Sequence, residues 1–238
     1  MLTCTCAAAR TFSIGCCRNP SIVLVFAMIF ATGFFSDHAQ ADLMDDFANV
    51  TGTPTGEFGW DDFGLTGSPY EGPHAPDKFG SSSSNITANA GGIITSTNNL
   101  YSFFSIPEWS VDLADLDVAE SHTSLAVQFA TSATYNAAQF SLAGSAPDEF
   151  EFLGPGPDNG GFSLNLYWAE WQGLNAATDY SVQLLGTGQH QSLAGVKASY
   201  FNTSDSNYNI SAVPEPGSLG ILASLLGVIS LRRRQNRL

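Results

Sequence analysis

The feature that most constrains the fold of this chain is a short, repeated alternation of apolar and polar side chains. Between residues 162 and 171 the even positions up to Trp168 are apolar. Between residues 124 and 131 the odd positions from Leu125 to Phe129 are apolar in the same way. Successive side chains of a β-strand point to opposite faces of its sheet, so this period of two predicts half-buried strands.

Similar but shorter runs occur elsewhere, separated by Gly, Pro, Asn, Asp and Ser, and together they predict about eight strands. The further candidates are residues 93–97, 100–106, 138–142, 149–153, 180–185 and 196–201. The Gly- and Pro-rich run 154–161 is expected to end any element that reaches it. The sequence therefore predicts an all-β fold, a single β-sandwich of jelly-roll or lectin-like type whose core is residues 99–211.

Residues 42–98 differ in composition from that core. They are dense in Gly, Pro, Ser, Thr and Asn, yet aromatic residues recur through them. These aromatics are Phe47, Phe58, Trp60, Phe63, Tyr70 and Phe79. A free linker seldom carries so many large apolar side chains. We expect an irregular segment that wraps over the sandwich rather than a second domain.

Residues 1–41 have the three parts of a secretory signal peptide. Arg10 and Arg18 provide positive charge, residues 21–35 are strongly apolar, and Ala39 and Ala41 form a small-x-small cleavage site. This order predicts export and a mature chain that begins near residue 42. An uncleaved signal anchor is the alternative.

All four cysteines lie in that same segment. They are Cys4, Cys6, Cys16 and Cys17. The chain from residue 42 onward has no cysteine, so an exported form would hold no disulfide and its apolar core would have to stabilise it. About 170 residues are enough for one such core.

Residues 212–238 combine a Pro-containing motif, an uncharged apolar run and a basic end. The motif is Val213, Pro214, Glu215 and Pro216, and the basic residues are Arg232, Arg233 and Arg234. The prolines favour extended backbone ahead of the run. As a helix, residues 217–231 would reach about 22 Å, which predicts a short transmembrane segment with its arginines on the cytoplasmic side. A tail anchor that is never processed is one interpretation.

This order of parts resembles the PEP-CTERM sorting signal of Gram-negative and related environmental bacteria. The resemblance is confined to the tail, and four residues follow the arginines. It implies that a membrane protease, exosortase, recognises the Pro-Glu-Pro motif and removes the tail after transient membrane insertion. It also implies a place at the cell envelope or in the extracellular matrix, with inner-membrane anchoring before processing, and an association with exopolysaccharide and biofilm matrix.

The predicted mature region is strongly acidic. Setting aside Asp37 and Glu215 among the 22 acidic residues leaves 20, and only Lys78 and Lys197 are basic, so the net charge is about −18. Such a surface repels nucleic acid, which needs Lys and Arg to bind its phosphates. It attracts divalent cations or a cationic partner, or it serves solubility alone.

Three carboxylates lie close together in the sequence at Asp112, Asp115 and Asp117. Hard oxygen ligands at short spacing suit Ca²⁺, although the glycine and terminal Glu of an EF-hand loop are missing. The competing interpretation is a short turn whose aspartates are solvated. No other cofactor is predicted.

Exposed aromatic rings would suit a sugar ligand, and Trp109 and Trp171 are the candidates. Glu149 and Glu151 should share one strand face, as a glycosidase's two carboxylates would, but no fuller catalytic signature surrounds them. We predict no catalytic residue. The expected function is that of a non-enzymatic surface or extracellular-matrix protein. The alternative is a carbohydrate-binding module, calcium-assisted or not, acting in or on exopolysaccharide.

Overall fold

The computed structural model describes residues 43–159 and 162–213. These residues form an all-β fold in which two antiparallel sheets pack together, so the predicted fold class is confirmed. The jelly-roll connection stays a prediction. The predicted signal peptide, the Pro-Glu-Pro motif and the apolar tail lie outside the described residues. Within the described ranges, no helix is long and apolar enough to cross a membrane.

The described residues contain thirteen strands and two short 3₁₀ turns, at Leu43–Asp46 and Ala137–Gln139. In chain order the strands are β1 (Asn49–Val50), β2 (Gly56–Trp60), β3 (Asn85–Ala88), β4 (Gly92–Ile94), β5 (Leu100–Ser102), β6 (Glu108–Leu113), β7 (His122–Thr131), β8 (Phe140–Leu142), β9 (Glu149–Asn159), β10 (Phe162–Asn175), β11 (Tyr180–Leu185), β12 (Ser192–Thr203) and β13 (Ala212–Val213).

The strands make one large and one small layer. The larger sheet has the order β4-β5-β12-β7-β10-β9, and β2 pairs with β12 on the same side as β5. The smaller sheet has the order β3-β6-β11-β8. The short ladder of β1 and β13 joins the two ends of the described chain. In chain order the strands change sheet after β2, β3, β5, β6, β7, β8, β10 and β11.

The main core lies between the two sheets and is rich in aromatic rings. Trp60 and Trp171 of the larger sheet and Trp109 and Phe140 of the smaller sheet are at most 1% exposed. The alternation of β10 explains this arrangement, because Tyr167, Ala169 and Trp171 all face inward. Each buried aromatic side chain removes about 150–250 Å² from water, so these rings dominate the stabilisation of the fold.

The outer face of the larger sheet is covered as well. At one end, Leu43 and Phe47 pack on Leu164 and Leu166 of β10. At the other end, Ile210 packs on Trp168 and Phe201. Because both faces are covered, β7 is buried at every position from Thr123 to Thr131.

The outer face of the smaller sheet is polar and open to solvent. Its side chains include Ser110 and Asp112 of β6 and Ser181 of β11. The carboxylate of Asp112 accepts hydrogen bonds from the hydroxyls of Ser110 (3.0 Å) and Ser181 (2.6 Å). Of the predicted strands, β11 is half-buried as expected, whereas β7 and the middle of β10, which carry the clearest alternation, are buried on both faces.

Two predictions about strand boundaries are wrong. The run 154–161 does not end its element, because β9 continues to Asn159 and pairs Pro155 with Asn165 across a bulge. A strand at a sheet edge tolerates proline, which has no N–H to donate. Likewise, residues 42–98 do more than wrap the sandwich, since β2 and β4 belong to the larger sheet and β3 to the smaller one.

The sequence does not predict β2 because this strand contains glycines. A Cβ at Gly56 would lie 2.4 Å from the ring of Tyr200, and a Cβ at Gly59 would lie 2.8 Å from the ring of Phe79. Glycine in a strand often marks such a close approach rather than a break. In β2 the missing side chains are the condition for packing aromatic rings against the backbone.

This packing predicts that G56A destabilises the protein by about 1–3 kcal/mol, because the Tyr200 ring is buried and cannot move aside freely. G188A is the matched control, since a Cβ there has no neighbour closer than 3.9 Å. Urea unfolding followed by tryptophan fluorescence measures both. Equal unfolding midpoints for the two variants would contradict this account of β2.

Candidate functional site

An exposed cluster of rings lies where β5 leads into β6 and where the loop after β11 approaches it. We define Tyr101, Phe103, Phe104 and His190 as the aromatic platform. Phe104 is 73% exposed and Phe103 is 41% exposed. Ile93, directly opposite Tyr101 in the β4–β5 pair, is 49% exposed. Contiguous exposed apolar side chains of this kind mark interaction sites more often than single ones do.

The rings of the platform interlock edge to face. The ring centroids of Phe103 and Phe104 are 4.6 Å apart, with the planes at 70°. Those of Phe103 and His190 are 5.5 Å apart at 81°, and those of Tyr101 and Phe103 are 6.1 Å apart at 60°. Offset and edge-to-face pairs are favoured by the ring quadrupoles, so the cluster stabilises its own arrangement.

Backbone hydrogen bonds fix the segment that carries these rings. The N–H groups of Phe103 and Phe104 both donate to the carbonyl of Gly91 at 3.0 Å. The side-chain amide of Gln189 donates to the carbonyl of Phe104 at 2.8 Å, and the N–H of His190 donates to the carbonyl of Ser102 at 3.1 Å. The two loops of the platform are therefore tied to each other and to the sheet.

His190 has an unusual backbone conformation. Its φ is +61°, in the left-handed region that residues with a Cβ seldom adopt. Its Nδ1 lies 3.0 Å from the hydroxyl of Tyr101, which fixes the orientation of the ring. If the phenol donates, the neutral imidazole carries its proton on Nε2. A strained, well-anchored and exposed imidazole is a common feature of functional sites.

The platform lies in an uncharged part of a highly charged chain. Residues 89–107 and 180–196 contain no Asp, Glu, Lys or Arg. Both segments come together at the β5–β12 pair, where Tyr101 is opposite Ser192. The site therefore offers ring faces, amides, hydroxyls and one imidazole, but no carboxylate and no cation of its own.

A second notable group is a buried carboxylate beneath the C-terminal strap, which we define as residues 204–211. Glu170 of β10 is 0% exposed, and its Oε1 accepts hydrogen bonds from the N–H of Ile210 at 2.7 Å and the amide of Gln172 at 3.1 Å. Its Oε2 has no hydrogen-bond partner among the described residues. Glu149 lies directly opposite on β9.

Burial raises the pKa of Glu170 above its ordinary value of 4.5, and the nearby charge of Glu149 adds to this, while the hydrogen bond from Ile210 opposes it. The folded protein therefore binds this proton more tightly than the unfolded chain does. Glu170 thus contributes most to stability below about pH 4.5, and its contribution falls as the pH rises through the folded-state pKa. The Glu170 carboxyl group positions the strap and makes the stability of the folded protein sensitive to pH.

We therefore expect E170Q, which keeps an acceptor for the Ile210 N–H, to gain stability relative to the wild type as the pH rises from about 4 to 8. The measurement is the free energy of unfolding in urea at several pH values. E151Q is the control, because Glu151, on the neighbouring strand β9, lies on the same outer face of the larger sheet but is exposed. Parallel curves for wild type and E170Q would contradict the account of Glu170.

The three aspartates of the predicted calcium site have different hydrogen-bond partners, and the site stays a prediction. Asp112 is bonded to the serines of the exposed sheet face, Asp115 accepts from the Ser81 hydroxyl at 3.2 Å, and the Asp117 N–H donates to the Tyr200 hydroxyl. In the part of the chain that the structure describes, no group of three His, Cys, Asp or Glu side chains could hold a metal ion. Spacing in sequence did not bring the carboxylates together, because Asp112 belongs to a strand and the other two follow it in a loop.

The prediction that Trp109 and Trp171 bind a sugar is wrong. Trp109 is 0% exposed and Trp171 is 1% exposed, so neither ring can stack on a ligand. The indole of Trp171 donates to the carbonyl of Ser145 inside the fold. Trp168 faces the opposite side of the sheet from Trp171 and is buried under Ile210. A cysteine-free sandwich with both faces of one sheet covered uses its largest side chains as core.

Glu149 and Glu151 share the outer face of β9, since the register pairs them with Glu170 and Trp168 of β10.

The platform was not predicted from the sequence, because Phe103 and Phe104 are consecutive and break the alternation. That break was the available signal. An alternating strand would bury only one of two adjacent phenylalanines, so the other must face outward or leave the strand.

No protein-family model matches the chain, and no curated protein or solved structure is significantly similar to it. Its function is therefore inferred from the charge of its surface, the way its ends are held, and the chemistry of the platform.

Proposed function

We propose that this protein is an exported, non-enzymatic surface or extracellular-matrix protein, and that an exosortase-type protease recognises and removes its C-terminal tail. The observation that carries the proposal is the position of the last core residue. Ile210 is 0% exposed and closes the outer face of the larger sheet, four residues before Pro214 of the Pro-Glu-Pro motif. Cleavage at the motif would leave every residue of the described core in the protein.

The two ends of the described chain are joined to each other, which suits a domain flanked by removable segments. Asn49 pairs with Val213, and the N–H of Thr51 donates to the carbonyl of Ser211 at 3.0 Å. Leu43, one residue inside the predicted mature start, is 5% exposed in the outer core. Removal of both the signal peptide and the tail would therefore spare the contacts that hold these ends.

The surface charge supports a role outside the cell. Because residues 42–213 carry a net charge of about −18, copies of the domain repel one another and repel anionic polymers. Among the described basic groups, Lys78 lies 3.1 Å from Asp61 and Lys197 lies 3.6 Å from Glu57. Nucleic acid is therefore a poor ligand, whereas cations and neutral polymers of a matrix can approach.

The alternative of a carbohydrate-binding module is favoured by the aromatic platform alone, and it is compatible with matrix placement. A lectin-like sandwich would present such a platform at the end of its sheets. Fold by itself does not decide between display and binding, so this alternative depends on the site.

The test of the sorting proposal is the intact mass of the protein recovered from the envelope of bacteria that contain an exosortase. We expect a chain that starts near residue 42 and lacks residues 219–238. Replacing the motif in P214A/E215A/P216A should leave the tail attached, and Q235A, a change in the tail outside the motif, should be processed like the wild type. A wild-type mass that retains residues 219–238 would refute removal of the tail.

A further inference from the structure

We propose that the aromatic platform binds an uncharged polysaccharide, with the faces of pyranose rings against Phe103 and Phe104 and sugar hydroxyls bonded to His190 and Gln189. Extracellular glycan is the ligand class, so the proposal rests on export as argued above. It assigns a site that differs entirely from the tryptophans named from the sequence.

The first step of the inference is the exposed ring surface. Phe104 is 73% exposed although the four tryptophans are at most 2% exposed, so the fold buries its largest rings and leaves this one in water. A pyranose ring has an apolar face of C–H groups and a polar edge of hydroxyls. An exposed phenyl ring removes the apolar face from water without demanding hydrogen bonds from the ligand.

The second step is the polar rim beside those rings. His190 is exposed, and its Nδ1 is engaged with the Tyr101 hydroxyl, so Nε2 is the nitrogen left for a ligand, and it donates in the tautomer in which the phenol donates to Nδ1. Gln189 is exposed too, and its amide nitrogen donates to the carbonyl of Phe104, which leaves the amide oxygen as an acceptor. Each sugar hydroxyl both donates and accepts, so this donor and acceptor pair matches it.

Hydrogen bonds order the platform before any ligand binds. Gly91 accepts from both Phe103 and Phe104, and Gln189 ties the opposite loop to the same segment. His190 is held at φ +61° by its bonds to Ser102 and Tyr101. A site that is already ordered loses little conformational freedom when it binds, so more of the contact energy remains as affinity.

The charge of the platform and of the whole domain selects among the possible ligands. No charged side chain occurs in residues 89–107 or 180–196, so the platform has no Lys or Arg to hold an anionic glycan. The net charge of about −18 over residues 42–213 repels such a polymer and also a second copy of this domain. A neutral ligand meets neither obstacle.

Affinity electrophoresis of the purified full chain in native gels tests the proposal. The gels contain β-glucan, galactomannan or, as the anionic comparison, alginate. We expect at least one neutral polymer to retard the wild type and alginate to leave it unretarded. F104S should weaken binding at least tenfold, whereas F152S should not, because Phe152 is 52% exposed but lies on β9 away from the platform segments.

A second variant separates binding from folding. H190G removes the imidazole and places glycine in a left-handed conformation that glycine adopts freely. It should therefore melt within a few degrees of the wild type while being retarded less, because relief of the strained backbone offsets the lost contacts of the imidazole with Phe103 and Tyr101. Loss of retardation together with a melting temperature lower by more than that would assign His190 a structural role and count against the proposal.

Three further results would overturn the proposal: no retardation of wild type by either neutral polymer, equal weakening by F152S, or self-association that F104S abolishes without any glycan binding. An added arm with the neutral exopolysaccharide of the producing cells shows whether the ligand is their own matrix or a foreign polymer. Because the purified chain is used, failure here leaves the tail-processing experiment unaffected, and failure of that experiment leaves this one unaffected.

Discussion

Burial of the larger sheet on both of its faces is the constraint on which the rest of this structure depends. Residues 43–213 contain no cysteine, so apolar packing must supply the stabilisation that disulfides often give to exported domains. The smaller sheet covers one face with aromatic side chains such as Trp109 and Phe140. The two ends of the described chain cover the other face through Phe47 and Ile210.

That constraint decides which side chains remain for function. All four tryptophans lie in two of the three apolar clusters, and Glu170 is buried beneath the strap that its own carboxylate holds. The exposed surface includes a polar face on the smaller sheet and the platform around Phe104. The tryptophans named from the sequence therefore belong to the core, and the exposed site consists of phenylalanine, tyrosine and histidine side chains.

The sequence predicted the fold class because a period of two is typical of strands, but it did not reveal that β7 and β10 are covered on both faces. The predicted limits of β11 agree with the structure, and those of β7 and β10 are close to it. It failed where backbone and side chain from distant segments meet, as at Gly56 under Tyr200. Asp112, Asp115 and Asp117 have different hydrogen-bond partners, because the first lies in a strand and the other two in a loop. The platform needed the pairing of β5 with β12, which no local pattern contains.

The measurement that most directly tests the central claim is hydrogen–deuterium exchange of the full chain with and without neutral β-linked gluco- and manno-oligosaccharides. The account predicts that added sugar slows exchange in residues 101–105 and 187–191 only. It also predicts that the amide of Ile210 exchanges slowly in every sample, since it donates to buried Glu170. Protection that appears elsewhere, or rapid exchange at Ile210, would contradict it.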